Sequence, residues 1–274
     1  MKNKLYWLLL LPGLMLLVIF LVIPLFNTLY PTVYDEGFTL SKYLEFFKDE
    51  YYLSILIRTL RISIISTIVC IILGTPTAYY ISRCDKKWRS LLIAISIFPL
   101  LTNSVVRSFA WINILGKNGV INTLLLKFGL IEKPLTLLYT EFSIIIGTIY
   151  LFLPLMIITV VGVMENIDND MMEAAESLGA NRITAFLKVI LPMSLPGIIV
   201  GGVLVFTGAL TAYTTPQLLG GNKIVLATFI YQKAMSSGDW TGASVIAGIM
   251  IIITVLVIKI LNGIATKLDK RGEN

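Results

Sequence analysis

Six stretches of the chain are almost wholly apolar for about 20 residues each: Trp7–Leu25, Leu60–Tyr80, Leu91–Leu115, Phe142–Met164, Leu195–Leu218 and Ala243–Ile264. A helix rising ~1.5 Å per residue crosses a ~30 Å hydrocarbon core in that length. Backbone groups in lipid have no water to bond, and the runs are too long for barrel strands, so each is predicted to be a helix. The pattern predicts an all-α polytopic membrane protein with six transmembrane helices, one membrane domain over residues 1–274. The first run, Leu5 to Leu25 behind Lys2 and Lys4, also resembles the apolar part of a signal peptide. It is longer than such a region and lacks a small-residue cleavage site, so it is read as an anchor.

The polar intervals set the orientation. Arg83, Lys86, Lys87 and Arg89 crowd one short loop, and a dense group of cations in a short loop marks the cytoplasmic side. Alternation then places Lys2, Lys4, the 165–194 loop and the tail with Lys267, Lys270 and Arg271 inside, so both termini are expected to be cytoplasmic. The 28–57 loop falls outside and reads as an amphipathic turn, with Tyr43, Phe46 and Phe47 on one side and Asp49 and Glu50 on another. It is expected to pack on the bundle at the interface, or else to meet an external partner.

Composition agrees with lipid as the main solvent. The chain is 57% hydrophobic and 14% charged, against about 45–50% and 25% in soluble domains, with a mean hydropathy of +0.86. A net charge of +6 raises the question of nucleic acid, yet no basic patch is interleaved with aromatics, and nucleic acid is not expected as a partner. Histidine is absent. Cys70 and Cys84 would lie about 21 Å apart along a helix, too far to pair, and two such cysteines do not make a metal site. No phosphate-binding GxxxxGK[ST] loop occurs, and no base and nucleophile converge as catalysis requires.

The 165–194 loop is the most informative polar stretch. Glu165 to Gly179 carries the marks of a short helix, with Asp170 placed to cap its start, Glu173 three residues on to reach back, and Gly179 suited to a left-handed end. Met171, Met172, Ala175 and Leu178 recur at three- to four-residue spacing on an otherwise acidic helix. Small Ala174 and Ala175 permit close approach, and flexible methionines adapt to an apolar pocket. The stripe fits either a helix lying on the membrane or a helix seated in a partner's groove. Ile183 to Leu191 forms a second amphipathic segment, and Pro192 and Pro196 redirect the chain before the fifth span.

Residues 173–192, EAAESLGANRITAFLKVILP, resemble the EAA motif of permease subunits of ABC-type, binding-protein-dependent importers. Glu173-Ala174-Ala175 is followed by Gly179 and, after nine intervening residues, by Val189-x-Leu191-Pro192, with Val189 where Ile is commoner. The resemblance implies a type I ABC importer permease fold in a bacterial inner membrane. It implies that Met172, Glu173, Ala174, Ala175, Leu178, Gly179 and Ala180 couple to an ATPase. The partners implied are two ATP-binding subunits, a homologous second permease and an extracytoplasmic solute-binding protein. ATP and Mg would be held by those subunits and no cofactor by this chain. The strings Pro99 to Trp111, Leu115-Gly116-Lys-Asn-Gly119, Pro216 to Gly221 and Asp239-Trp240-x-Gly242-Ala243 resemble the spermidine/putrescine branch. Relatives for phosphonate, opine, amino-acid-like, thiamine or iron substrates share some of them.

A polyamine needs carboxylates or aromatic faces along its route. The candidates are Asn103, Arg107, Trp111, Glu141, Tyr150 and Tyr213. Glu141 is the carboxylate at the outer edge of the fourth span. Arg107 has the wrong sign for a cation and is costly in lipid, so it is expected to bond helix-end carbonyls or Glu141. Trp111, Tyr150 and Tyr213 are read as pathway liners or as packing aromatics. Scarce carboxylates in the spans, no histidine and no inverted repeat argue against an ion-gradient transporter. Gly74 and Gly201-Gly202 are expected to let helices approach closely.

Overall fold

The computed structural model describes residues 2–34, 37–168 and 170–269, with side chains described within 10–263. Lys270 and Arg271, and the side chains of Lys2, Lys4 and Lys267, therefore lie outside the described residues. Among the described residues every regular element is helical. Four uninterrupted apolar helices are long enough to span: Leu10–Val33, Glu50–Ser82, Glu141–Met164 and Trp240–Gly263. Two bent pairs, Lys86–Leu101 with Ser104–Lys127 and Arg182–Met193 with Leu195–Thr211, complete a set of six.

The third and fifth spans depart from the continuous helices the hydropathy predicts. The third turns by 93° because Thr102 and Asn103 are extended, with ψ of 146° and 132°. Asn103 Oδ1 then restarts the chain as a helix by accepting from the N–H of Val105 (2.9 Å) and Val106 (3.3 Å). The predicted fifth span, Leu195–Leu218, ends at Thr211, and a separate Thr214–Leu219 helix follows. Pro216 has no N–H for the carbonyl of Ala212 four residues back, and Ala212 is extended at ψ 125°. Pro196 acts likewise on Pro192, and the chain bends by 70° around Ser194.

The 28–57 loop is shorter than its polarity suggests. The first span runs on to Val33 and the second begins at Glu50, which leaves residues 34–49 and their Ser41–Lys48 helix between them. Asp49 Oδ1 caps the second span by accepting from Tyr51 N–H at 2.8 Å.

The chain divides into two compact units. The smaller, residues 1–54 with 229–252, is knit by aromatic and polar contacts. Tyr43 and Thr32 share a hydroxyl hydrogen bond of 2.8 Å, and Phe46 is buried while Phe47 is exposed, so the predicted Tyr43/Phe46/Phe47 face splits. Lys233 sits 5.4 Å from the Tyr52 ring centre and 3.1 Å from Asp239 Oδ2. A hydrogen bond to Tyr52 foremost, with the Asp239 contact, raises the Lys233 pKa above its ordinary value. The Gly242 N–H foremost, then Lys233, holds the Asp239 carboxyl below the usual range.

The larger unit, residues 55–228 with 253–274, has its core where the second, fourth and fifth spans meet, from Cys70, Ala78, Met156, Val160, Met164, Ile198 and Val205. Met156 is the knob. A Cβ on Gly74 would lie 2.8 Å from its Cγ, and one on Gly201 2.6 Å from its Sδ. Gly74 and Gly201, two of the three predicted glycines, thus seat one fourth-span side chain between them, the small-residue packing that lipid-embedded helices use, while a Cβ on Gly202 would meet Ile71 at 3.7 Å.

Candidate functional site

The 165–194 loop hangs from this core. Its first helix is Asp170–Ser177, so Asp170 is already helical rather than the predicted cap. Asp168 Oδ1 accepts the Asp170 N–H at 3.3 Å, two residues upstream of where the capping-box pattern puts the acceptor. Residue 169 lies outside the described residues. The other end follows the sequence. Gly179 takes φ +92°, its N–H bonds Glu176 O at 2.9 Å, and Ala180 N–H reaches Ala175 O at 3.1 Å. That pair of bonds is a Schellman end, which satisfies the last carbonyls.

The apolar stripe resolves into two faces. Met172 packs on the core and Ala175 is half-buried, whereas Met171 is exposed and Leu178 is 91% exposed. Glu173 and Ala174 lie on the exposed side. Asn181 Oδ1 restarts the chain by accepting Thr184 N–H at 2.8 Å, and Ile183 (72% exposed) and Leu187 extend the open apolar rim. A cleft of about 750 Å³ separates the two short helices, lined by Tyr79, Met172, Glu173, Glu176, Ile183 and Phe186 among others.

Two arginines that the sequence marks only as topology signals hold this loop. Arg83 Nη1 donates to Ile167 O at 2.9 Å, and its guanidinium lies 5.5 Å from the centre of the Tyr79 ring. Arg89 pairs with Glu165 at 3.5 Å and donates to Ser82 O at 2.8 Å. Their density in sequence is a signal; their loop acceptors, Ile167 and Glu165, some 80 residues away, are not.

The pathway candidates fall into separate places. Arg107 is buried at the break in the third span, where its Nη1 donates to Pro99 O at 2.7 Å and Thr102 O at 3.3 Å. These are the helix-end carbonyls of the two expected alternatives, and Glu141 is engaged elsewhere. Its carboxylate takes Arg58 Nε and Arg61 Nη1, each at 3.3 Å, and Arg58 also donates to Ile224 O at 2.9 Å. Glu141 is thus neutralised from within the chain. Trp111 and Tyr150 come together edge to face, with ring centres 5.6 Å apart. Asn103 is spent as a helix cap, and half-buried Tyr213 stands at the joint after the fifth span, accepting Gln217 N–H at its carbonyl.

Residues 66–271 match the family model described as the binding-protein-dependent transport system inner membrane component. The spermidine/putrescine transport system permease protein PotB of Haemophilus influenzae is 35% identical over 226 residues, 82% of this chain and 79% of that protein. Its namesake in Escherichia coli K12 is 31% identical over 233 residues, covering 82% and 84%. Among solved structures, a chain of a bacterial ABC transporter involved in import of the acidic polysaccharide alginate superposes with a TM-score of 0.77 over 97% of this chain and 96% of that one, at 18% identity. That identity speaks for the fold alone. The matched residues include the core residues from Cys70 to Val205 and the whole 165–194 loop, and the chain belongs to the binding-protein-dependent transport system inner membrane components.

Proposed function

We propose that the chain is the permease subunit of an ATP-binding-cassette importer for polyamines, with the Asp170–Ser177 helix as its contact with an ATP-binding subunit. The observation that carries the contact is a short helix with a closed Schellman end that leaves Leu178 91% exposed. Leu178 joins exposed Met171, Ile183 and Leu187 in an open apolar rim, and such a patch on a polar loop supports docking. The polyamine assignment rests on the two permeases named for spermidine and putrescine at 35% and 31% identity.

In this reading the 165–194 loop, the Arg83–Arg89 turn and both termini face the cytoplasm, as the grouped cations require. The working assembly contains this chain, a second permease, two ATP-binding subunits that hold ATP and Mg, and an extracytoplasmic solute-binding protein. Closure of the ATPase pair pushes the Asp170–Ser177 helix. The push reaches the fifth span through the Pro192–Pro196 bend. Trp111 and Tyr150, one edge-to-face pair, offer a polyamine aromatic faces, with Asn103 and Tyr213 as further liners. Glu141, neutralised by Arg58 and Arg61, and Arg107, bonded to carbonyls, shape the route instead of binding the cation.

The test is the assembled complex in lipid vesicles with its binding protein. Spermidine or putrescine is expected to stimulate ATP hydrolysis and to be taken up. A response to a different solute with none to either polyamine overturns the substrate. ATP-driven uptake that survives bulky replacements of both Glu173 and Gly179 overturns the coupling helix.

A further inference from the structure

Tyr79 lies in the last turn of the second span and Arg83 one residue past its end, still tied to it by the Arg83 N–H to Tyr79 O hydrogen bond of 3.3 Å, so the two share one helix face. That face touches the loop on both sides of the Asp170–Ser177 helix. Arg83 Nη1 holds the chain entering the helix, at the carbonyl of Ile167 (2.9 Å). Tyr79 holds the chain leaving it, through the Phe186 ring at 5.0 Å between centres. The two grips are joined, because the Arg83 guanidinium lies over the Tyr79 ring at 5.5 Å. Ile167 is itself 6% exposed, in the core that Tyr79, Met172 and Phe186 pack against.

From this geometry we infer that Tyr79 and Arg83 form the joint that transmits displacement of the Asp170–Ser177 helix into the second span, making Arg83 a positioning residue for transport. The Pro192–Pro196 bend leads to the fifth span alone. Entry and exit gripped by one helix face turn the loop into a lever whose pivot is the second span, so both spans flanking Met156 move together. A guanidinium suits the task because its plane stacks on the ring while its edge donates to the carbonyl, whereas an ammonium is a point charge without that planar fork. The inference rests on the proposed importer function.

The test measures spermidine taken up per ATP hydrolysed, in the assembled complex with its binding protein in lipid vesicles. Wild type runs alongside: if it does not respond to spermidine, the functional reading is at fault and not the joint. With a responsive wild type, Arg83→Gln is expected to assemble and hydrolyse ATP while uptake per ATP falls about fivefold or more, the size of a typical allosteric coupling. Arg83→Lys is expected to fall between the two. Arg83→Gln that assembles and keeps wild-type uptake per ATP overturns the joint. Should Arg83→Gln fail to assemble, Arg83→Lys decides, its loss of coupling supporting the joint and its wild-type coupling overturning it. Failure of both to assemble makes Arg83 a folding residue and also overturns it.

Discussion

The break in the third span and the 165–194 loop use the same local chemistry and reach opposite ends. In each a helix stops and an asparagine side chain restarts it, Asn103 accepting from Val105 and Val106, Asn181 from Thr184. At the break the leftover polar groups are consumed inside the chain, where Arg107 donates to the carbonyls of Pro99 and Thr102. In the loop the Gly179 and Ala180 N–H groups close the helix end on the carbonyls of Glu176 and Ala175, yet Leu178 and Ile183 stay open. The charge in the apolar span is therefore a structural tie, while the open apolar side chains on the polar loop are, on the proposed reading, a surface for another protein. Both regions show residues out of place by composition, and only the accounting of partners tells which is which.

The comparison breaks most visibly at Arg107. Arg107→Leu removes the charged donor of the Pro99 and Thr102 carbonyls, leaving Pro99 O with the Thr102 hydroxyl at 2.8 Å, and hydrogen bonds from charged groups contribute about 1.5–3 kcal/mol. The expected loss is about 3 kcal/mol of stability, read as a lower melting temperature of the detergent-purified permease. A variant as stable as wild type but impaired in uptake would instead put Arg107 on the substrate route.

Next in size is Gly179. At φ +92°, with nothing among the described residues beyond its chain neighbours within 4 Å of where a Cβ would sit, the site restricts backbone conformation and not space. Gly179→Val costs about 1–2 kcal/mol for a side chain forced into the left-handed region, and is expected to abolish spermidine uptake by vesicles. Gly179→Asn, which tolerates that region, is expected to keep most of it. Equal loss in both variants would mean that the glycine serves close contact with a partner rather than helix termination.

What was legible in the sequence follows the same line. The six segments and the end of the loop helix depend on local rules, a window of apolar residues or one glycine with positive φ. The 93° turn does not, because Thr102-Asn103-Ser104 is too short a polar break to end the apolar window from Leu91 to Leu115, and the turn is set by two extended residues, the Asn103 cap and a guanidinium eight residues past the carbonyl it ties. Pro216 was a local signal for the end of the fifth span, readable only by asking which carbonyl it leaves without a donor. Glu141 read as a pathway carboxylate or a partner for Arg107 because Arg58 and Arg61 lie about 80 residues upstream. The stripe of Met171, Met172, Ala175 and Leu178 had the right period. Which half turned inward was decided by Tyr79 and Phe186, distant in sequence.

Matched cap deletions sharpen the comparison. Asn181→Ala is expected to cost about 1 kcal/mol or less, the usual worth of a helix cap where water can replace it. Asn103→Ala frees two N–H groups within an apolar span, where no water replaces the acceptor, and is expected to cost measurably more. Melting temperatures of the two purified variants give the ranking. Equal costs would place the break in a water-filled region.

The smallest expected change in stability is the most telling. Leu178→Ser removes a side chain already in solvent, so the isolated permease is expected to stay within about 0.5 kcal/mol of wild type. Met172→Ser, one face around the same helix, removes packing against the core and is expected to destabilise the permease alone. In the complex the order reverses: Leu178→Ser is expected to weaken capture of the ATP-binding subunits, measured by co-purification, more than its unchanged melting temperature suggests. If Leu178→Ser binds those subunits as wild type does, the exposed face is a lipid-facing one. The 165–194 loop would then differ from the third-span break only in which solvent satisfies it, membrane rather than protein.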